Sequence, residues 1–154
     1  MSERKKRTLI YKGLGFPIKL IDVPSKKMFG DWVLDIDLTE LQLIVLKALV
    51  HKPTRLTKDE LRFIRHFLEM TTTRFGKIFG VTHSAVVQWE NGKRNLSPAI
   101  ELCIRLYALD HLKVKDKEFK MLYNEITIEK LTQRSEKSLP PIEIDASQDL
   151  KIAL

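Results

Sequence analysis

Two spacings of apolar residues divide the chain. Across residues 9–36 the apolar positions are interrupted by Gly13, Gly15, Pro17, Pro24 and Gly30 and are rich in Ile, Val, Phe and Trp, a texture that suits strands rather than a helix. The pattern predicts one strand over 18–23 and a second over 28–36, broken near Gly30. From residue 38 the spacing changes. Leu38, Leu41, Ile44, Val45, Ala48 and Leu49 recur at helical intervals, and Asp37 followed by Glu40 has capping-box spacing. A helix is therefore expected over 38–51, stopping before Pro53. A two-stranded element is marginal alone, so this helix is its expected packing partner.

Helical spacing continues downstream. Thr57 and Glu60 form a second capping box ahead of the stripe Leu61, Ile64, Phe67 and Leu68. Ser97 precedes Pro98, whose missing amide is harmless at the first helical position. Ile100, Cys103, Ile104, Tyr107 and Ala108 would line the inner side of that helix. A last helix is expected over 117–131, capped by Asp116, with Phe119, Leu122, Tyr123 and Ile126 inward. The two ends differ from the rest. Residues 1–8 read as a basic, flexible arm. Residues 132–154 read as a mobile polar tail with Pro140-Pro141, whose Ile142, Ile144, Ile152 and Leu154 are apolar enough to dock on a partner.

The stretch 70–94, MTTTRFGKIFGVTHSAVVQWENGKR, carries the most information. Phe75, Phe79, Val86 and Trp89 fall on one face of two short helices joined at Gly80-Val81-Thr82, the pattern of a helix-turn-helix. Gly80 can take the left-handed conformation that ends the first helix, and Thr82 is a good N-cap for the second. Thr71 is the expected cap of the first helix. The second helix would then expose His83, Ser84, Val87 and Gln88, small and polar groups suited to entering a major groove. The following Asn91-Gly92-Lys93-Arg94 turn would bring backbone amides and two cations near a phosphate.

On these residues the segment 56–112 resembles the lambda-repressor/Cro-type (XRE-like) helix-turn-helix family. The match runs through Phe75-Gly76, Phe79-Gly80-Val81-Thr82, Val86, Trp89-Glu90-Asn91-Gly92-Lys93 and Ser97-Pro98. Thr72 stands where the family has a phosphate-contacting glutamine, and Gly76 where it has alanine, a change that should cost the helix about 1 kcal/mol. The expected fold is mainly α: a five-helix lambda-repressor-like DNA-binding domain over 54–131, preceded by a small α+β module over 9–53.

Composition and charge fit this reading. The 154-residue chain is 44% hydrophobic with a formal charge of +7, favouring a polyanionic partner. Residues 1–31 hold eight Lys/Arg against three Asp/Glu, and residues 57–113 nine against six, so the positive field belongs to the first part and to the helix-turn-helix. Cys103 is the only cysteine, which excludes an intrachain disulfide and a Cys-based zinc site and suits a reduced, cytoplasmic setting. No apolar run reaches the ~18 residues of a membrane span. No cofactor motif, zinc signature or nucleophile elbow is present, so neither metal, cofactor nor enzymatic activity is expected.

Roles can be assigned residue by residue. Gln88 can bond adenine's N6 and N7 together, and His83, Ser84 and Val87 share its face, Val87 suited to a thymine methyl. Thr72, Thr73, Thr82, Asn91, Lys93 and Arg94 are the expected phosphate contacts, and Arg4, Lys5, Lys6 and Arg7 a DNA-following arm. Glu90 reads as structural, because a carboxylate facing phosphates would be repelled. The expected ligand is a palindromic operator bound by a homodimer. A β-containing element before an XRE-like domain is also similar to MqsA-type antitoxins, which bind a toxin through the first domain and repress their own operon through the second. Those proteins hold the first domain with four zinc-binding cysteines. Here a core around Phe16, Ile21, Met28, Trp32 and the helix 38–51 would take the metal's place. A stand-alone or phage-type repressor and a non-enzymatic adaptor are the alternatives.

Overall fold

Strand-forming residues extend further in both directions than their alternation suggests. In the computed structural model, which describes residues 3–112 and 141–149, β1 (Arg4–Tyr11) runs antiparallel to β2 (Ile18–Met28), and β2 pairs antiparallel with β3 (Asp31–Leu34). The run Arg4-Lys5-Lys6-Arg7, expected as part of a flexible arm, is thus half of a strand. Opposed residues of an antiparallel pair point to the same face. Leu9 lies opposite Leu20, Tyr11 opposite Ile18 and Arg7 opposite Val23, which puts the buried Ile18, Leu20, Val23 and Ser25 on one side of the sheet. A register shift between Arg7 and Leu9 keeps that side consistent past Asp22, whose φ of 52° marks the bulge and whose amide donates to the Thr8 hydroxyl at 3.2 Å.

Pro24 does not end β2 as expected. Its carbonyl accepts from the Asp35 amide at 2.8 Å, and a strand residue's nitrogen faces the same edge as its carbonyl. The missing N–H therefore lies on the β3 side, one residue beyond the paired stretch 25–28, and the β1 ladder loses nothing.

The C-terminal segment supplies the fourth strand. β4 (Glu143–Asp145) pairs parallel with β2, Ile144 opposite Leu20, and the Lys19 amide donates to the Ile142 carbonyl at 3.1 Å. A single-turn α6 (Ala146–Asp149) follows and packs against β2; Ile144 and Ala146 are buried. Residues 141–149 are therefore part of the sheet-bearing unit rather than a mobile tail. A four-stranded mixed sheet makes the class α+β, which corrects the mainly α expectation. The local hydrophobic pattern could not show this, because β4 is three residues long and its partner lies over a hundred residues earlier. The proposed metal-free core is corrected too. Phe16 is buried, but Ile21 and Trp32 are half-buried and Met28 is exposed; Ile18, Leu20 and Val23 form the interior instead.

The chain divides into two units, residues 1–45 with 140–154, and residues 46–139. The boundary falls within α1 (Leu38–Val50), where Asp37 Oδ1 accepts from the Thr39 and Glu40 amides at 2.9 and 3.3 Å. The helical unit contains α2 (Lys58–Phe67), α3 (Thr72–Ile78), α4 (His83–Glu90) and α5 (Pro98–His111). Thr57 and Glu60 close the expected capping box on α2, and Ser97 caps α5 through the Ile100 amide. The fifth helix expected over 117–131, together with Ile152 and Leu154, lies outside the described residues.

α5 keeps Ile104 and Ala108 inward as expected, with Ile100 and Tyr107 half-buried, but its buried face is wider on one side and narrower on the other. Cys103, expected inward, is exposed, while Glu101 and Arg105 have no accessible surface. The reason is an i,i+4 ion pair turned into the interior: Arg105 Nη2 meets Glu101 Oε2 at 2.9 Å, and the guanidinium also donates to the carbonyls of Lys52 and Thr54. Glu101 Oε1 in turn accepts from Arg55 Nε at 2.9 Å and from the Leu56 amide at 3.2 Å. Burial draws the Arg105 guanidinium below its ordinary value, and Glu101 opposes that shift. The network ties the segment before α2 to α5.

Candidate nucleic-acid interface

The α3–α4 pair is built by local rules. Thr71 Oγ1 accepts from the Arg74 amide at 3.1 Å and Thr82 Oγ1 from the Ala85 amide at 3.1 Å, so each helix begins at the threonine expected to cap it. Gly80 sits at φ 73°, and Val81 N donates to Gly76 O at 2.8 Å across the turn. A Cβ on Gly76 would stand 2.7 Å from the Val81 carbonyl oxygen, so the absence of a side chain there permits the close approach. Phe75 is fully buried, and its ring meets Phe79 edge-on at 4.8 Å; Phe79 meets Tyr107 at 5.6 Å.

α4 is amphipathic in a sharply divided way. Ala85, Val86, Trp89 and Glu90 are buried, whereas His83, Ser84, Val87 and Gln88 are exposed, the last two at i+4 from the first two. These four expected base-contacting residues therefore share one solvent-facing stripe. Val87, at 41% exposure, is an apolar group on an otherwise polar face.

The far end of α4 is clamped. Arg65 of α2 grips the buried Glu90 carboxylate with two bonds, Nε to Oε2 at 2.6 Å and Nη2 to Oε1 at 2.8 Å, and donates through Nη1 to the Met70 carbonyl at 2.9 Å. Arg62 Nη2 donates to the Glu90 carbonyl at 2.7 Å. Glu90 is thus buried and structural, turned away from the exposed stripe. Its two arginine partners were missed at the sequence level. Their i,i+3 spacing on α2, beside the stripe Leu61 and Ile64, was the available signal.

The turn after α4 behaves differently from its expected role. The amides of Lys93 and Arg94 both donate to the Gln88 carbonyl, at 3.0 and 3.2 Å, with Gly92 at φ 80°, so these N–H groups close the helix end and are not free for a phosphate. Asn91 Oδ1 also accepts from the Lys93 amide at 3.1 Å. The Lys93 and Arg94 side chains remain exposed, as do Asn91 and Thr73; Thr72 is half-buried, and the Thr82 hydroxyl oxygen caps α4. Arg4, Lys5, Lys6 and Arg7 lie apart from this cluster in sequence and belong to β1. Arg4 approaches Asp35 at 3.5 Å, and Lys5 Nζ sits 4.2 Å over the Trp32 ring.

Among the described residues no group of His, Cys, Asp and Glu could hold a metal ion, and no helix is long and apolar enough to cross a membrane. What the arrangement offers is a helix anchored on one side and presenting hydrogen-bonding groups on the other, followed by two exposed cations. No protein family, curated protein or solved structure matches the chain.

Proposed function

We propose that this chain is a sequence-specific DNA-binding transcriptional repressor of non-enzymatic type, with α4 as its recognition helix in the major groove. One observation carries the reading: His83, Ser84, Val87 and Gln88 form an exposed stripe on a helix whose opposite side is fixed by Trp89, Val86 and the Arg65–Glu90 clamp. Rigid presentation matters because base readout requires donors and acceptors held in register with base edges. Lys93 and Arg94 neutralise phosphates and position the helix without selecting sequence. A homodimer would set two such helices about 34 Å apart on a palindromic operator, and repression follows from occlusion of a promoter.

Mobility-shift titrations on a panel of selected operator variants test the division of labour. Gln88→Ala is expected to flatten discrimination at one base pair by about 1–3 kcal/mol while Lys93→Ala and Arg94→Ala weaken every sequence alike. Equal losses from all three substitutions would reject it. The antitoxin role is supported by the resemblance alone. It is tested by co-expression with the neighbouring reading frame: co-purification of a toxic product with this chain supports it, and indifference of growth and of purification removes it.

A further inference from the structure

The hairpin between β2 and β3 contains a residue that its own unit does not explain. Phe29 and Gly30 form the two-residue loop joining Met28 to Asp31, and both have positive φ, 51° and 86°, as in a type I′ turn. Asparagine is favoured at the first of these positions, and a bulky aromatic residue there is strained. Phe29 is also completely exposed, at 100% of its possible surface. The chain thus accepts backbone strain to hold an aromatic ring in solvent at the tip of a hairpin. Met28 beside it is 42% exposed.

Charge around the tip narrows the partner. Lys26 and Lys27 end the β2 leg, and the ladder sets Arg4 opposite Lys26, with Lys5, Lys6 and Arg7 following along β1. Like charges directly opposed across a sheet are unfavourable. Asp35 relieves that pair, at 3.5 Å from Arg4 and 3.7 Å from Lys26, and Glu3 approaches Lys27 at 3.8 Å. Arg4, Lys5, Lys6, Arg7, Lys26 and Lys27 stand against Glu3, Asp22, Asp31, Asp35 and Asp145, the last near Lys6, and the positive excess lies on β1, where four cations run in succession. An apolar ring at the tip of a hairpin flanked by that cationic strand matches a polyanion with stacked, separable layers.

We propose that the β2–β3 hairpin is a second DNA-binding element, in which Phe29 wedges between base pairs of a duplex and the flanking lysines hold its phosphates. The inference rests on the duplex being this chain's ligand and adds a contact in the other unit. Insertion of such a side chain unstacks one step and kinks the DNA. Wild-type binding is therefore expected to bring the ends of the duplex closer.

The test uses the full chain and a mixed-sequence duplex of about 30 base pairs, well below the persistence length, with a donor and an acceptor dye at its ends. Phe29→Asn is informative because asparagine suits the left-handed position. It should raise the Tm, weaken duplex binding about tenfold, as expected for one lost aromatic–base stacking contact, and abolish the gain in energy transfer. Phe29→Trp should retain both binding and bending. Unchanged binding and bending by Phe29→Asn overturn the proposal. So does a Phe29-dependent association with anionic vesicles or with a co-purifying protein while DNA bending is unaffected. A chain whose operator preference responds to Gln88→Ala but whose bending ignores Phe29 rejects the wedge alone; one that binds no duplex rejects both readings.

Discussion

Gly76 illustrates how a single missing carbon can oppose helix propensity. Alanine in its place would favour α3 by about 1 kcal/mol. The new Cβ would meet a backbone oxygen at 2.7 Å, and overpacking of that kind costs about 1–3 kcal/mol. Gly76→Ala is therefore expected to lower stability despite its better propensity, and denaturant titration reads the sign. This sign is not legible in helix propensity, which counts the cost of glycine within α3 but not the Val81 carbonyl packed against it. Asp145 offers a residue-scale pH dependence. The Ser147 hydroxyl at 2.6 Å and the Ser147 amide at 3.0 Å hold its carboxylate below the ordinary carboxylate value. A depressed folded-state value contributes stability above the unfolded value of about 3.9, lost as pH falls through the folded value. Ser147→Ala should move the Asp145 titration upward in an NMR pH series.

At the scale of elements, the boundaries of α2 to α5 were legible because their signals are local. Thr57, Thr71, Thr82 and Ser97 each cap the helix that immediately follows, and the exposed stripe of α4 follows from residues one to seven positions apart. On α5 the inward Ile104 and Ala108 were legible but the buried Glu101 and Arg105 were not, since hydrophobicity scales place both outside. The Glu90 clamp left only the i,i+3 spacing of Arg62 and Arg65 as a trace in the sequence, with nothing to name their partner. Glu90→Ala would leave Arg65 largely buried without its carboxylate, and loss of one partner from such a pair costs about 3–5 kcal/mol. The expected result is a lower Tm with α4 loosened, whereas Gln88→Ala, on the exposed side of the same helix, should leave the Tm unchanged. Calorimetry on the two variants separates the side chain that anchors the helix from one that it leaves exposed.

Across the whole molecule, the main departure from local reading is the sheet. A parallel pairing between Lys19 and Glu143, whose side chains also meet at 3.3 Å, joins residues 124 positions apart, and no periodicity within either segment announces it. Removing residues 141–154 should uncover Leu20 and free the Lys19 amide, so hydrogen exchange at Lys19 is expected to accelerate while amides of α2 and α4 keep their protection. Unchanged protection at Lys19 would show that β4 is dispensable.

That pairing has a consequence during synthesis. A ribosome releases β1, β2 and β3 first, then the helices, and the strand that seats Ile144 beside Leu20 emerges only after them. The sheet is therefore begun before the helices and closed after them, and a chain halted before Ile142 would carry it unsealed along the Leu20 edge.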